Sequence, residues 1–513
     1  MIGASAPVHA ALSTWERRGP AAAGVLLALF ALAVGAAAAP FSYDDAWITF
    51  RYASNFASGG GLVYNPGERV FGTSAPGYAL LLGLLSMPAP SMVSQVSAVV
   101  CTVALATAGV ALYVFGVRRG SALAGFVAGL VFVVNPLALE SFGGEMVPQA
   151  ALAVWAVTAV ALDRPAVATA CALAATLVRP DGLLVLAVAL GWHGVRTSRV
   201  PWRLLAASAL VLGIWFAALW WWFGVPLPDT LAAKQAQRAS GAWRSLGTDL
   251  FFWLCALAGI DTPFSVTRTH SGFFAFLILA LAGLLILPWR RAWWPMVAWP
   301  LLACVAYRQL RLPFYHWYAV PALVLLAVCA GLAGDALARG LTATLRGLRR
   351  VWASDRSPTF VARAVVGAIV CATIVWPLTT IAFDTRRWFP GPGERAYIGI
   401  GQWLADNTPP EATVGYIEIG FVGWHARRHM IDPFGLVTTG VGDAVARRDF
   451  LYAYRTRRPD YILHSPVFFP DHMGRLEREP WFAQAYRPIA TLPSGRSWPL
   501  TVYRRTQSAQ RTD

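Results

Sequence analysis

The sequence predicts a polytopic α-helical membrane protein with about eleven transmembrane helices, followed by an α/β domain outside the membrane. Three observations lead to this prediction. The chain of 513 residues is 57% hydrophobic and only 13% charged, with a mean hydropathy of +0.52, which is far more apolar than a soluble core of this size requires. Its apolar residues form separate runs about as long as a bilayer is thick. These runs stop near residue 381, and the rest of the chain mixes short apolar stretches with arginines and acids.

The predicted membrane spans are apolar runs bounded by charges or proline. They are 21–40, 93–117, 121–138, 147–162, 165–178, 182–194, 203–223, 272–287, 294–307, 318–334 and 362–381. The runs 165–178 and 182–194 are short and are separated by Arg179-Pro180-Asp181-Gly182. They form either a tilted pair or a re-entrant element buried in protein. Both arrangements return the chain to the same side, so the predicted topology is the same.

Arginines concentrate in alternate loops, which the positive-inside rule assigns to the cytoplasm. The N-terminus is then cytoplasmic, and the first span, which has no small-residue cleavage site before a soluble domain, is a retained helix. The outer segments are 41–92, 139–146, 224–271, 308–317 and everything after 382. We therefore expect a transmembrane domain over 1–381 and an extracytoplasmic α/β domain over 382–513, in a multi-pass protein of the plasma or inner membrane.

The C-terminal region has its own secondary-structure pattern. Residues 394–406 read as an amphipathic helix that is stopped by Asn407-Thr408-Pro409-Pro410. Short strands are predicted at 412–418, 430–432 and 460–463. The last residues, 507–513, are expected to form a disordered tail.

Composition and motifs exclude several function classes. The net charge of +16 is spread over many short loops, so anionic membrane lipids explain it better than nucleic acid does. The six cysteines contain no CxxC pair, and neither a disulfide framework nor a thiolate metal site is indicated. A P-loop, a GxGxxG turn, an HExxH motif and a serine nucleophile elbow are all absent. ATP-driven transport and nucleotide-sugar chemistry are therefore unsupported.

Two adjacent carboxylates, Asp44 and Asp45, follow the first span directly. An ionised Asp in hydrocarbon is disfavoured by roughly 2.5–3.5 kcal/mol, so both should lie in a wet pocket. Their repulsion favours protonation of one, which raises its pKa towards the range of a general base near neutral pH. The alternative is that one of them caps a helix over 46–57.

Carboxylates and a lysine in the next outer loops could act with this pair. Glu145 could orient an acceptor hydroxyl or bind a divalent cation together with the first acids, and Glu140 could do the same or cap the next helix. Lys234 is the only lysine among 42 basic residues. Its compact charge suits phosphate, so we expect it to bind an anionic leaving group, although its retention by chance explains it as well.

The last outer loop before the final spans combines basic and aromatic residues. Arg308, Arg311, Tyr315 and His316 could form a cradle for a phosphate and a sugar, or the aromatic side chains could simply anchor the loop at the membrane surface. His316 has no second imidazole nearby in the sequence. It therefore does not indicate a metal site.

The first outer loop resembles that of a known family. Residues 43–53 (YDDAWITFRYA) and 61–70 (GLVYNPGERV) are similar to the first outer loop of GT-C fold glycosyltransferases, in particular bacterial cell-wall arabinofuranosyltransferases and related mannosyltransferase-like membrane proteins. Shorter patches of similarity also occur at 179–182, 228–234 and 403–436.

The resemblance implies that a sugar carried on a polyprenyl phosphate is transferred, with inversion, to a glycan, lipid or protein acceptor of the cell envelope. The sugar would be a pentofuranose such as arabinofuranose or a hexose such as mannose. By position, the resemblance points to Asp44 or Asp45 as the base that deprotonates the acceptor, and Asp44 is favoured because Asp45 is well placed as a helix cap. The candidates for binding the lipid phosphate are Arg51, Lys234, Arg308 and Arg311.

The sequence also departs from that family. Its members often have a Met-Glu-Thr turn where this chain has Gly144-Glu145-Met146, and Asn where it has Asp229, which leaves the role of Glu145 and the phosphate site open. Metal dependence is open too, because relatives differ in their use of a divalent cation. The main alternative function is a transporter or flippase of a lipid-linked sugar. A scaffold whose outer domain binds partners would leave the paired acids unexplained.

Overall fold

The computed structural model describes residues 6–243, 271–313, 315–349, 358–386, 389–467, 473–495 and 498–506, and most of these residues are helical. The predicted tail 507–513, part of the loop 224–271 and Cys255 lie outside the described residues. The helices of the N-terminal part are α1 Ala6–Ala38, α2 Asp44–Ala57, α3 Pro76–Leu85, α4 Val93–Arg118, α5 Ala122–Val134, α6 Pro136–Glu140, α7 Met146–Ala161, α8 Pro165–Val178, α9 Leu183–Thr197, α10 Trp202–Phe223, α11 Asp229–Ala239, α12 Ser271–Ile286, α13 Trp294–Gln309, α14 Val320–Arg349, α15 Pro358–Val370 and α16 Trp376–Arg386.

A helix occurs at each predicted span. Within the described residues, five helical segments are long and apolar enough to cross a membrane, and the pair Phe274–Trp289 and Arg291–Gln309, bent by 107°, would make a sixth if it counts as one span. The five are Gly19–Ala38, Pro90–Arg118, Trp202–Phe223, His316–Leu348 and Pro358–Thr380. Other apolar helices are shorter, among them α5, α7 and α8.

Small residues bring the helices of the bundle close together. A Cβ atom on Gly125 of α5 would lie 2.6 Å from the carbonyl oxygen of Leu112, and one on Gly129 would lie 2.6 Å from that of Gly109 on α4. Such glycines let helix backbones approach where no hydrophobic effect drives helices together. The central helices α4, α5, α7 and α14 therefore form one apolar core.

Charged side chains gather at the end of the bundle away from the first loop. Asp335 on α14 is 2% exposed and accepts hydrogen bonds from Arg339 Nε at 2.7 Å and Ser121 Oγ at 3.3 Å. A buried carboxylate at membrane depth needs such partners. This cluster fixes the turn between α4 and α5 against α14.

The C-terminal part contains a mixed five-stranded sheet of order β2-β1-β3-β5-β4. Its helices are α17 Pro392–Asn407, α18 Phe421–Ala426, α19 Gly442–Ala446, α20 Tyr452–Arg457 and α21 Pro480–Ala485, and its strands are β1 Thr413–Gly415, β2 His429–Ile431, β3 Tyr461–His464, β4 Tyr486–Pro493 and β5 Pro499–Arg505. β1 pairs with β2 and β3 in parallel, whereas β5 pairs antiparallel with β3 and β4. The sequence patterns locate α17 and the three parallel strands, but the hairpin of β4 and β5 was not predicted.

Helix α2 lies between the bundle and this sheet domain. Tyr64, in the loop after α2, donates through its hydroxyl to the carbonyl oxygen of Ile419 at 2.6 Å. The side chain of Asn65 accepts from the backbone N–H of Met430 and donates to its carbonyl oxygen, both at 3.0 Å, so it joins β2 like an extra strand residue. The first loop is therefore a structural bridge between the two parts of the chain.

Candidate functional site

The two acids at the start of α2 point to different surroundings. Consecutive helical residues are about 100° apart around the axis, so Asp44 faces the C-terminal domain and Asp45 faces the bundle. The carboxylate of Asp44 accepts the backbone N–H groups of Gly420 at 3.0 Å and Phe421 at 2.8 Å. Asp45 lies with its Oδ2 4.0 Å from Lys234 Nζ. The geometry of α2 thus places Asp44 in contact with the C-terminal domain and Asp45 at a pocket beside Lys234.

This arrangement corrects the expected division of roles. The residue at the N-cap of α2 is Tyr43, and its side chain makes no capping hydrogen bond. Asp45 does not cap the helix, whereas Asp44 caps another helix, α18, which begins 377 residues further along the chain. One of the two acids does act as a helix cap, but the helix that it caps is distant in the sequence.

The acids have raised pKa values for related reasons. Burial raises the pKa of Asp44 to about 7, against the opposing effect of the Phe421 and Gly420 N–H groups and with a further contribution from the charge of Asp45. Burial also raises the pKa of Asp45, while the Lys234 ammonium lowers it and the Glu145 charge raises it. Both carboxyls can therefore change protonation closer to neutral pH than exposed acids do.

Lys234 is held in place by a link between α11 and the first loop. Asp229, the first residue of α11, accepts the Phe71 N–H at 3.0 Å through its side chain and donates its own N–H to the Phe71 carbonyl oxygen at 2.9 Å. The side chain of Lys234 is only 7% exposed. It donates to the hydroxyl of Tyr318 at 3.2 Å.

Aromatic rings surround the Lys234 ammonium on the sides that the acid does not cover. Its Nζ lies 4.7 Å from the ring centroid of Tyr315 and 5.3 Å from that of Trp317. Tyr43 stacks on Trp317 at 4.9 Å. Rings in this position attract a cation and exclude water from it. The only lysine of the chain is therefore a desolvated cation beside a carboxylate.

Glu145 forms a second charged group at the same end of the bundle. It is 5% exposed and pairs with Nη1 of Arg179, which also donates to Ser74 Oγ at 3.1 Å. Asp181 lies 3.3 Å from Arg179 Nε and accepts from Gln149 Nε2 at 2.6 Å. Glu145 is thus neutralised by Arg179 and is not placed as a free base.

Sequence reasoning did not select Arg179 and Asp181, nor the rings of Tyr43, Trp317 and Tyr318. The signal for the charged pair was present, because an Arg-Pro-Asp-Gly break between two apolar runs places charges where a membrane helix ends. The rings gave no such signal, since aromatic residues at a membrane surface are common.

Several predicted site residues lie elsewhere. Arg51 faces the C-terminal domain, where it donates to the carbonyl oxygens of Gly423 at 2.8 Å and Arg428 at 2.6 Å. Four others do not line the pocket: Arg308 and Arg311 are exposed at the end of α13, His316 packs edge-on against Tyr43 with ring centroids 5.5 Å apart, and Glu140 is half-buried at the end of α6. Asp45, Glu145 and Lys234 are the predicted residues that converge on one pocket.

The pocket between these groups is small. Asp45, Thr73, Glu145, Lys234 and Leu436 are among the residues that line it, and its volume is about 30 Å³, enough for about one water molecule. Leu436 belongs to a loop of the C-terminal domain whose N–H groups are held by the carboxylate of Asp432. A ligand larger than a water molecule therefore does not fit this volume unless lining residues such as Leu436 move.

A large apolar cavity of about 820 Å³ lies on the other side of the acid pair. It extends from α1 and α4 to Ser42, Trp47 and Phe421, which adjoin Asp44. Its lining of aliphatic and aromatic groups suits a hydrocarbon chain. An apolar ligand could thus lie in the bundle wall with its polar end near the acids.

The acidic groups do not converge as metal ligands do. Across the described ranges, no group of three or more His, Cys, Asp or Glu side chains is placed to hold a metal ion. Asp44 is bonded to backbone N–H groups, and Glu145 is paired with Arg179. The donors present therefore do not fit a divalent cation in this arrangement.

Comparisons with known proteins agree with the architecture. The archaeal oligosaccharyltransferase AglB from Archaeoglobus fulgidus, solved with a tethered acceptor peptide, superposes with a TM-score of 0.55 at 14% identity, covering 96% of this chain and 75% of AglB. ArnT from Cupriavidus metallidurans bound to undecaprenyl phosphate gives a TM-score of 0.52 at 13% identity, covering 96% of this chain and 99% of ArnT. The chain has the GT-C fold.

Sequence comparisons add less than the GT-C superpositions. A family model described as a domain of unknown function (DUF8728) matches residues 388–510, which contain the sheet domain. A search of curated proteins gives no match. The GT-C neighbours are glycosyltransferases that use polyprenyl-phosphate-linked donors, and at these identities the likeness establishes the fold alone.

Proposed function

We propose that this GT-C protein is an inverting glycosyltransferase that moves a sugar from a polyprenyl phosphate to an acceptor hydroxyl outside the cell membrane. The observation that carries the proposal is the pairing of Asp45 with the buried Lys234, 4.0 Å apart, at the end of the bundle. An acid and a cation side by side can serve the two ends of a displacement once the substrate enters between them, because an in-line displacement needs a wider separation than 4.0 Å. One accepts the proton of the nucleophile, and the other receives the negative charge of the leaving group.

In the proposed reaction, Asp45 takes the proton from the acceptor hydroxyl. The hydroxyl oxygen then forms a bond to the anomeric carbon, and the bond from that carbon to the lipid phosphate breaks. The electron pair leaves with the phosphate, whose added charge Lys234 stabilises. Attack from the face opposite the leaving group inverts the configuration.

Asp45 is a better candidate for the base than Asp44. Both carboxylate oxygens of Asp44 accept backbone N–H groups of the C-terminal domain, which hold the carboxylate against that domain and make it a weaker base. Asp45 has a side chain that is 30% exposed and lines the pocket. Its raised pKa brings it closer to the value at which a carboxylate is an effective base.

The other groups support this chemistry. The apolar cavity beside Trp47 and Phe421 would hold the isoprenoid chain of the donor. The pair of Glu145 and Arg179 would keep the Ser74 side of the pocket rigid and neutral. Motion of the C-terminal domain, which Asp44 attaches to α2, would admit substrates and then exclude water.

The proposed location and substrates follow the sequence arguments. The acids, Lys234 and the C-terminal domain lie at one end of the bundle and the cluster around Asp335 lies at the other, which supports an extracytoplasmic site if the arginine-rich loops are inside. Arabinofuranose and mannose remain the candidate sugars, and a cell-envelope glycan, lipid or protein remains the candidate acceptor.

The test uses the full-length protein in liposomes with a radiolabelled polyprenyl-phosphate sugar and a panel of acceptors. Sugar transfer should release free polyprenyl phosphate, and Asp45→Asn should lower turnover by about 10²–10⁴-fold. Asp443→Asn, at an exposed acid of the C-terminal domain, is the control and should leave the rate unchanged. Movement of the lipid-linked sugar across the bilayer without release of polyprenyl phosphate would instead indicate a transporter.

A further inference from the structure

A second cleft lies on the other side of α2 and shares no lining residue with the Lys234 pocket. Its volume is about 650 Å³, within the range of pockets that bind small molecules. The α2 wall is formed by Arg51, Ser54, Asn55 and Ser58, which recur every three or four residues and therefore share one helix face. The opposite wall belongs to the C-terminal domain.

This cleft contains an excess of positive charge. Within the part of the chain that the structure describes, Arg51, Arg427 and Arg428 line it, and Glu411 is the one carboxylate in the lining. Arg51 and Arg428 are 6% and 7% exposed. Among the described residues, no carboxylate lies within 4.0 Å of these three guanidinium groups, because none of the ion pairs involves them.

The partners of the two buried guanidinium groups are neutral. Arg51 donates to carbonyl oxygens and to the Asn65 side chain. Arg428 donates to the carbonyl oxygens of Ala405 at 2.7 Å and Thr408 at 2.6 Å and to the Thr408 hydroxyl. Carbonyl groups satisfy the N–H donors but do not cancel the charge. A buried cation without a counter-ion is unfavourable, and an anion in the cleft would relieve it.

The rest of the lining suits a polyol. Trp424 contributes a half-buried indole to the lining, and Ser54, Asn55 and Ser58 contribute small polar groups. An indole packs against the C–H face of a sugar ring while neighbouring polar groups bind its hydroxyls. Arg427 is exposed at the C-cap of α18. Its guanidinium is available to the ligand.

We propose that this cleft binds an anionic saccharide, that is, a sugar or polyol bearing a phosphate or a carboxylate. Pro90 and Ser91, which directly precede α4, form one edge, so the cleft opens where the bundle meets the C-terminal domain. The ligand can be a soluble glycan or the headgroup of a glycolipid. The proposal does not depend on the transferase activity, because it uses none of the residues around Asp45.

Binding is tested with mannose 6-phosphate and neutral mannose as probes, by saturation-transfer NMR on the full-length protein in nanodiscs. Mannose 6-phosphate should bind, mannose should bind more weakly, and added salt should weaken the difference. Arg427→Asn should weaken binding of the phosphorylated sugar about tenfold, which is the lower end of the effect expected for losing one hydrogen bond between charged groups. Asn also tolerates the left-handed backbone of this position, where φ is 50°.

Two further variants test whether binding depends on the charges that line the cleft or only on an undisturbed local structure. Arg458→Asn is the matched control, because Arg458 is also an exposed, left-handed C-cap residue, with φ 45°, of a six-residue helix, but lies outside the cleft. It should leave binding unchanged. Glu411→Gln removes the only carboxylate of the lining and should tighten binding of mannose 6-phosphate severalfold. Equal effects of Arg427→Asn and Arg458→Asn, or no effect of Glu411→Gln, would overturn the proposal.

Further experiments distinguish a soluble glycan from a glycolipid headgroup and test whether binding in the cleft is independent of sugar transfer. Retention of the protein by vesicles that contain phosphatidylinositol, lost in Arg427→Asn, would support a glycolipid headgroup, whereas binding of the soluble sugar alone would support a glycan. Asp45→Asn should keep full binding. If wild-type protein transfers sugar but binds neither probe, the cleft proposal fails and the proposed function stands. If it binds mannose 6-phosphate but transfers no sugar, the cleft proposal stands and the proposed function fails.

Discussion

Replacement of Lys234 by methionine tests the proposed site most directly. Methionine keeps much of the apolar stem that packs among Tyr315, Trp317 and Tyr318 but removes the ammonium group. A charge-assisted hydrogen bond contributes about 1.5–3 kcal/mol. If Lys234 stabilises the departing phosphate, kcat/KM should fall by roughly 10–150-fold.

The same substitution should also shift the pH profile. The Lys234 ammonium lowers the pKa of Asp45, so its removal should raise that pKa. The base would then be protonated up to a higher pH, and the acid limb of kcat/KM against pH should move upward. A purely structural role of Lys234 would lower activity without moving this limb.

The assay measures release of polyprenyl phosphate across the pH range for wild type, Lys234→Met and a control. Gln235→Met is a suitable control, since Gln235 is exposed on the same helix and donates only to the Leu310 carbonyl oxygen at 3.2 Å. Lys234 does not stabilise the leaving phosphate if Lys234→Met keeps the wild-type kcat/KM and the wild-type acid limb. The same conclusion follows if Gln235→Met reproduces both changes.

Three further predictions concern the surroundings of the pocket. Arg179→Met should destabilise the fold by about 3–5 kcal/mol, because it leaves Glu145 as an unpaired buried charge; a thermal melt in detergent should show this loss, and Arg308→Met, at an exposed site, should show none. Burial raises the pKa of Asp44 to about 7, above its unfolded value, so its contribution to stability is fully present below the unfolded pKa and is lost as pH rises through 7. The melting temperature should therefore fall between pH 5 and pH 8, and Asp44→Asn should flatten part of that slope; an unchanged slope would contradict the assignment. Asp229→Ala should release the start of α11 from the first loop, cost about 0.5–2 kcal/mol and raise KM more than it lowers kcat, whereas an unaltered KM would show that α11 does not need this link.

Much of the helical architecture could be predicted from local patterns. Apolar runs such as 203–223 and 318–334 became helices at those places because a membrane-length apolar segment has few other ways to satisfy its backbone. The short strands at 430–432 and 460–463 were also located. The hairpin of β4 and β5 was missed, since its strands are largely exposed and alternate weakly.

The candidate site was predictable only in part. Asp45, Glu145 and Lys234 were selected as costly or unusual charges in outer loops, and the structure brings them to one pocket. The family resemblance made Arg51 a candidate for the lipid phosphate, but its guanidinium donates to carbonyl oxygens of the C-terminal domain. The sequence shows that a charge beside an apolar run needs a partner, but it does not show which residue that partner is.

The sequence by itself determined that the chain enters the membrane, where its helices run, and that acids and a single lysine lie in loops beside them. These features depend on local composition and on the period of apolar residues. Only the tertiary structure decided that Asp44 holds α18, that Asp45 faces Lys234, and that Arg179 neutralises Glu145. The physical reason is that a charge takes its role from the groups within a few ångströms of it, and for Asp44 those groups lie 376 and 377 residues away in the chain.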